Sequence, residues 1–303
     1  MTIVASPNRL GRVLPIASYV AIAWLLFGFG SYGMALGEQV RAKRVVSMNL
    51  CTDQLLLLIA KRSRIASVSY LARDPLFSHL ANRARDIPIN HGLAEEILPL
   101  EPDLVLVGSH TIRPTTVLLR KLGIKVLVLK LAEGFEDIRR NMRLVGNALG
   151  ETAKVDLMVS QFDTALTTLV QSQDLPTAII LRPRGMTMGQ GSLSDAILRS
   201  AGLRNLSAEM GVGKIGLLPL EQVVAARPDL FVLAEFRPGH PSLAHLILQH
   251  PVLRMDQADP NGNDPSRVAL PTHLWNCGGP QALKAIDILK RARLQLLKSK
   301  VRK

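Results

Sequence analysis

The chain has 303 residues, 48% of them hydrophobic, which is enough for two ordinary domains or one two-lobed body with a sizeable core. Its net charge of +13 suits anionic small ligands, lipid headgroups or nucleic acid, but no aromatics are interleaved with the basic residues, which argues against a nucleic-acid surface. Cys51 and Cys277 are the only cysteines, so the fold does not rest on a disulfide framework.

Arg9 and Arg12 precede an apolar run from about Leu14 to Gly33, which ends at Ala35-Leu36-Gly37. A charged n-region, an apolar h-region and a small-x-small pattern together read as a secretory signal over residues 1–37, cut near Gly37. The run is near the lower limit for a membrane span and contains Pro15, Gly28, Gly30 and Gly33, so an uncleaved anchor is the alternative. Either way the remaining chain, with a charge of +11, works outside the cytoplasm. That location disfavours enzymes that need cytosolic nucleotides.

After residue 37, short apolar runs alternate with longer amphipathic ones. Strands are predicted at residues 44–47, 65–69, 104–107 and 126–129, and helices at 52–60, 94–100 and 115–122. Such alternation builds a parallel sheet covered by helices. Gly123 stands where a helix must stop before the next strand. From Phe135 apolar residues recur at helical spacing through Ile138, Met142, Val145 and Leu149, until Gly150 breaks the run. Glu151 then opens a second helix of about 22 residues, about 33 Å long. No strand or proline interrupts it before Pro176, so it reads as a rigid spacer.

The alternation resumes with a strand at 177–181, helices at 193–201 and 220–226, and strands at 230–233 and 267–270. A closing helix at 280–298 is entered through Gly278-Gly279-Pro280, proline being favourable in a first turn. Its cations, Lys290, Arg291, Arg293, Lys298, Lys300, Arg302 and Lys303, read as a solvated helix end facing the negative pole of the dipole. Residues 256–266, with Pro260, Gly262 and Pro265, are the expected flexible loop. The predicted fold is therefore α/β, with two similar lobes of parallel sheet joined by one long helix. The predicted divisions are a signal at 1–37, a first lobe at 38–150, the interlobe helix at 151–173 and a second lobe at 174–303.

One internal echo stands out. Glu95-Glu96-Ile97-Leu98-Pro99-Leu100-Glu101-Pro102-Asp103-Leu104 recurs as Glu221-Gln222-Val223-Val224-Ala225-Ala226-Arg227-Pro228-Asp229-Leu230, at an offset of 126 residues. Each copy reads as a short helix, a Pro-Asp turn and a strand, with an acidic side chain at the helix start. A carboxylate there is favourable without any function; its repetition in two lobes is what gives it weight.

With this unit the chain resembles the periplasmic substrate-binding proteins of ABC importers for iron chelates and cobalamin, the class with a helical backbone between lobes. The likeness also rests on Arg44–Asp53 (RVVSMNLCTD), Ile65–Asp74 (IASVSYLARD), the interlobe helix and Thr272–Pro280 (THLWNCGGP). The resemblance implies a monomeric periplasmic binder with no intrinsic cofactor and no catalytic step, whose ligand is a ferric chelate or a corrinoid. It also implies that Glu95 and Glu221 dock onto arginines of the permease, one per half.

In open parallel sheets, ligands bind beyond the carboxyl ends of the strands. In the first lobe those loops hold Met48, Asn49 and Cys51, then Tyr70 and Arg73, then Ser109, His110 and Arg113. In the second they hold Arg182, Arg184 and Met186, then Glu235, Phe236, Arg237 and His240, then His273, Trp275, Asn276 and Cys277. Arginine recognises carboxylate, phosphate or catecholate oxygens with fixed geometry, so together these arginines favour an anionic ligand. Tyr70, Phe236 and Trp275 are candidate apolar walls, as suits a corrinoid, while the number of arginines leans toward a ferric chelate.

Cys51 and Cys277 each precede a predicted helix, whose N-terminus lowers a thiol's pKa. Three fates stay open for them: contact with a bound metal, a bridge across the cleft, or separate burial. Other readings of the same residues are an exported α/β enzyme with a cysteine nucleophile, though no base adjoins either thiol, a haem or metal-ion binder of the same fold, and a receptor-like interaction protein. A dedicated metal cage is disfavoured, since His240, His245 and His250 do not share a helix face and no H-E-x-x-H occurs; His91, His110 and His273 are the remaining candidates. Gly211-Val212-Gly213-Lys214 lacks the spacing of a phosphate loop, and Ile215 stands where a metal-binding hydroxyl is required.

Overall fold

The computed structural model describes residues 41–111, 113–166, 175–234, 243–253 and 264–301. The proposed signal, the far end of the interlobe helix (167–173) and most of the expected loop at 256–266 lie outside the described residues.

The first lobe is built from β1 (Val45–Ser47), α1 (Leu50–Ile59), β2 (Ile65–Ser69), β3 (Ile89–Asn90), α2 (Ala94–Ile97), β4 (Leu104–Gly108), α3 (Arg113–Lys121) and β5 (Val126–Leu129). All its strands are parallel, in the order β3-β2-β1-β4-β5. Helices on both faces bury β1, β2 and β4, so these strands are nearly continuous apolar runs rather than alternating ones.

Next come α4 (Phe135–Leu149) and α5 (Thr152–Leu166), packed against each other. Gly150 ends α4 in the left-handed region at φ +66°, and the N–H of Glu151 returns to the carbonyl of Gly146. Gly146 lets the two helices approach closely: a Cβ there would lie 2.6 Å from Cγ2 of Val155.

The second lobe contains β6 (Thr177–Leu181), β7 (Met186–Thr187), α6 (Leu193–Ser200), β8 (Arg204–Asn205), α7 (Leu206–Glu209), β9 (Gly216–Leu217), α8 (Leu220–Ala225), β10 (Leu230–Ala234), α9 (Leu246–Gln249), β11 (Arg267–Leu270) and α10 (Ala282–Val301). Its main sheet is parallel, ordered β11-β10-β6-β8, and β7 pairs with β9 as a small antiparallel ribbon.

The Pro-Asp echo is a structural joint used twice. Glu101 and Arg227 occupy matching left-handed positions, at φ +46° and +47°, just before the prolines. Asp103 then accepts from the backbone N–H groups of Lys43 and Arg44, where β1 begins. Asp229 accepts from the N–H and hydroxyl of Thr177, where β6 begins, at 2.8 and 2.9 Å. In each lobe the aspartate thus ties the start of one strand to the start of its parallel neighbour.

One buried apolar cluster runs through both lobes. It joins Val45, Leu56 and Leu106 to Ala178, Ile197 and Leu230 by way of Val159, Phe162, Trp275 and Leu289. Two smaller clusters fill the outer faces of the sheets, around Val46 and Val107 in the first lobe and Ile179 and Phe231 in the second. The lobes therefore share packed side chains as well as a connecting helix.

Candidate functional site

The strand order of the first lobe reverses between β1 and β4, the place where an open parallel sheet leaves a crevice at its carboxyl edge. A small cavity of about 70 Å³, open to solvent, lies there. Asn49, Cys51 and Thr52 line it from the β1–α1 turn, Gly108, Ser109 and His110 from the end of β4, and Leu129–Ala132 from the end of β5, with Asn141 and Gly278 completing the wall. Asn49 is fixed as the N-cap of α1, its side chain accepting from the N–H of Cys51 at 2.9 Å. Its amide leaves no room opposite, because a Cβ on Gly108 would sit 3.1 Å from Asn49 Cγ. The buried Asn141 donates to the carbonyl of Lys130 at 2.8 Å and holds that loop in place.

The second lobe meets this edge through several contacts. Cys51 and Cys277 form a disulfide, with Cα atoms 5.1 Å apart. Beside it Gly278 lies so close that an added Cβ would come within 2.3 Å of Ala132 Cβ. The His79 and His273 rings stack at 5.5 Å, and Lys284 Nζ lies 3.4 Å from His79 Nε2. Burial, followed by the positive charges of Lys284 and His273, holds the His79 pKa below its ordinary value. Lys214 pairs with Glu133 at 2.6 Å. Of the three fates open to the cysteines, the structure takes the bridge. A sulfur in a disulfide is neither a thiolate for a metal nor a nucleophile, so both of those roles are corrected, although Cys51 still lines the cavity.

Arg182 follows β6 at the carboxyl edge of the second sheet. Its guanidinium sits 5.4 Å over the Trp275 ring and donates to Asn276 Oδ1 at 3.3 Å. No carboxylate among the described residues pairs with it, and burial lowers its pKa. A desolvated cation in this position favours an incoming anion. Trp275 is only 4% exposed, so it backs the arginine and is not the open apolar wall expected of it. Arg73, exposed at its expected place after β2, donates to the carbonyls of Ala84 and Ile87, bracing the segment between β2 and β3.

Tyr70 is half exposed and stacks on His91, with ring centres 5.2 Å apart. His110 and Arg184 are exposed after β4 and β6, and Arg113 is exposed as the first residue of α3. Phe236 and Arg237, with Glu235 and His240, lie outside the described residues. Glu95 and Glu221 stand exposed in the first turns of α2 and α8, and neither has an ion-pair partner among the described residues. Sequence reasoning missed the His79–His273 stack and the Glu133–Lys214 pair, which join residues far apart in the chain. It also treated Gly278 only as a helix entry; the Cys-Gly-Gly run was the available sign of a close approach.

A family model described as periplasmic binding protein matches residues 45–254. An uncharacterised ABC transporter substrate-binding lipoprotein of Bacillus subtilis (strain 168), YvrC, is 20% identical over 205 residues, covering 64% of this chain and 64% of that protein's own length. Among solved structures, the periplasmic haem-binding protein RhuT of Roseiflexus sp. RS-1 in apo form superposes with a TM-score of 0.67 at 20% identity, covering 85% of this chain and 99% of that one. The periplasmic vitamin B12 binding protein BtuF of Vibrio cholerae superposes with a TM-score of 0.63 at 19% identity, covering 86% and 98%. At these identities the structures share a fold with this chain. No helix among the described residues is long and apolar enough to cross a membrane.

Proposed function

The chain belongs to the periplasmic binding protein family, and from that premise we propose that it is an extracytoplasmic solute-binding protein which captures a metal chelate and hands it to an ABC permease. The chelate is a ferric siderophore or a corrinoid. Haem is a second reading of the same kind, favoured by the haem-binding RhuT sharing this fold. Residues 1–37 act as the export signal, 38–150 and 174–303 are the two lobes, and 151–173 is the helix between them.

The observation that carries the reading is Arg182, a desolvated guanidinium without a carboxylate partner among the described residues, at the strand edge where ligands collect. It suits a phosphate, a catecholate or a propionate. Asn49, Tyr70, His110, Arg113 and Arg184 supply the surrounding polar and aromatic contacts, together with Phe236 and Arg237. Binding alone does the work, and no covalent step is needed. The exposed Glu95 and Glu221, one per lobe, orient the loaded protein on the permease.

In the chain from residue 38, Trp275 is the only tryptophan and lies against Arg182, which makes it an internal reporter. Titration with cyanocobalamin, ferric protoporphyrin IX, a ferric tris-catecholate and a ferric tris-hydroxamate is expected to change its fluorescence saturably for at least one. A flat response to all four, matched by no binding in calorimetry, refutes the reading.

A further inference from the structure

We propose that the outward face of α10 is a lipid-contacting surface, which lays the protein on a bilayer bearing anionic phospholipid headgroups. The surface lies away from the ligand edge, so it works whichever ligand the protein carries.

One side of α10 packs against β11, α5 and α6 and buries Ala285, Ile286, Leu289, Ala292 and Leu296. At about 100° per residue, the opposite side carries Arg291, Leu294, Lys298 and Val301 in one row, with Leu297 beside them. Leu294 is 50% exposed, Leu297 37% and Val301 87%. Arg291 and Lys298 are exposed as well, and neither has an ion-pair partner among the described residues. After Asp287 the chain carries seven cations and no acid. Lys300 faces inward instead and pairs with Asp229, at the start of β10. The end of α10 therefore sits at the amino edge of the second sheet, opposite the carboxyl edge that leads to Arg182. A surface held there leaves the ligand edge open.

Cations in a last helical turn are favourable without any partner, because they face the negative pole of the dipole. That accounts for the charges and not for three apolar side chains standing in water among them. A bilayer surface satisfies both sets. Its headgroups supply the anions, and its hydrocarbon begins within reach of Leu294, Leu297 and Val301. The long stems of Arg291 and Lys298 keep their charges at headgroup level meanwhile. A soluble polyanion would meet the charges and leave the apolar row wet. Nor does α10 contain an aromatic that could stack on a nucleic-acid base.

Sedimentation with lipid vesicles tests the assignment. The chain from residue 38 is used, since residues 41–303 form one compact unit and the apolar run near the start would bind vesicles by itself. Wild type is expected to partition onto phosphatidylcholine vesicles containing about one-third phosphatidylglycerol, and about tenfold or more weakly onto phosphatidylcholine alone. Raising the salt from about 0.05 M to about 0.5 M should weaken the binding by screening. Arg291→Gln with Lys298→Gln should weaken it about 25-fold, about fivefold per cation. Leu294→Gln with Val301→Gln should weaken it about tenfold while keeping the salt dependence. Arg120→Gln with Lys121→Gln removes the same charge from exposed positions on α3 and should stay within about twofold of wild type. All six side chains are exposed, so the three variants should keep the wild-type melting curve.

Equal or absent partitioning of wild type onto the two vesicle types overturns the assignment. So does a loss from the α3 pair as large as that from the α10 cations, which would make net charge alone the cause. A loss from the α10 cations with none from Leu294→Gln and Val301→Gln overturns it as well, and turns the face toward a soluble polyanion.

Discussion

Replacing both bridging cysteines, as Cys51→Ser with Cys277→Ser, tests how the two lobes are held. The bond closes a loop of 226 residues. Chain-entropy arithmetic for that length gives about 18 cal/mol/K removed from the unfolded ensemble, or about 5 kcal/mol at 25 °C, the upper end of what a disulfide contributes. With a urea m of about 3 kcal/mol/M for a chain of this size, the unfolding midpoint should fall by roughly 2 M. The oxidised wild type should also show the smaller m, because its unfolded state stays more compact. The assay is urea denaturation followed by Trp275 fluorescence, on wild type with and without a phosphine reductant and on the double variant. Reduced wild type and double variant should coincide. If oxidised and reduced midpoints coincide instead, the shared apolar cluster alone sets stability, and the covalent account is wrong.

Further outcomes are expected at three sites. Arg182→Gln should weaken an anionic chelate by about 1.5–3 kcal/mol, the range for hydrogen bonds to charged groups, with the melting temperature preserved; unchanged affinity in calorimetry would remove Arg182 from the site. Glu95→Arg combined with Glu221→Arg should abolish uptake in cells while leaving ligand affinity intact, and normal uptake would end the docking assignment. Asp53 is fully buried and accepts from the N–H and hydroxyl of Ser69; burial, outweighing the bonds from Ser47 and Ser69, pushes its pKa up to about 7 from 3.8. A carboxyl raised on folding stabilises below its unfolded pKa, and that stability is lost as pH rises from about 4 to about 7, with an order of magnitude of about 4 kcal/mol. Asp53→Asn still accepts from the Ser69 N–H, presents an NH2 donor to the Ser69 hydroxyl oxygen, and should flatten this dependence in melts at pH 5 and pH 8; an unaltered slope would assign it elsewhere.

The fold was legible because its signals are local. Strands at 65–69, 126–129, 177–181 and 267–270 fall where the apolar runs put them, since buried parallel strands need little beyond continuous hydrophobicity. Gly123 and Gly150 mark helix ends by their left-handed backbones, at φ +79° and +66°. Two-residue strands such as β3, β8 and β9 left no trace, because their pairing is decided by neighbours and not by their own composition. The Pro-Asp echo was found for its glutamates, yet what it does within the fold is done by its aspartates. Site residues were harder to read. Arg73 and Arg182 both follow strands, and only the structure shows that one meets backbone carbonyls and the other does not meet a carboxylate among the described residues. Sequence gives a side chain's address; its partners come from residues up to hundreds of positions away.

Those distant partners also constrain how binding proceeds. The buried cluster crosses from β1 and α1 through α4 and α5 to α6 and α10, so opening the lobes widely would expose side chains that are now fully packed, such as Phe162 and Leu289. At about 25 cal/mol per Å² of apolar surface, even a few hundred Å² of such exposure costs several kcal/mol, comparable to the binding energy of a micromolar ligand. The bond from Cys51 to Cys277 and the contact of Gly278 with Ala132 set a second fixed point at the rim of the cavity. A ligand therefore meets a cleft already near its bound shape, and little of its interaction energy is consumed in moving the lobes. The cost of that rigidity falls on release. A pre-formed cleft gives up its ligand only if the permease supplies the opening force, which requires a firm grip on both lobes. In the docking proposed above, the exposed carboxylates on α2 and α8 supply that grip.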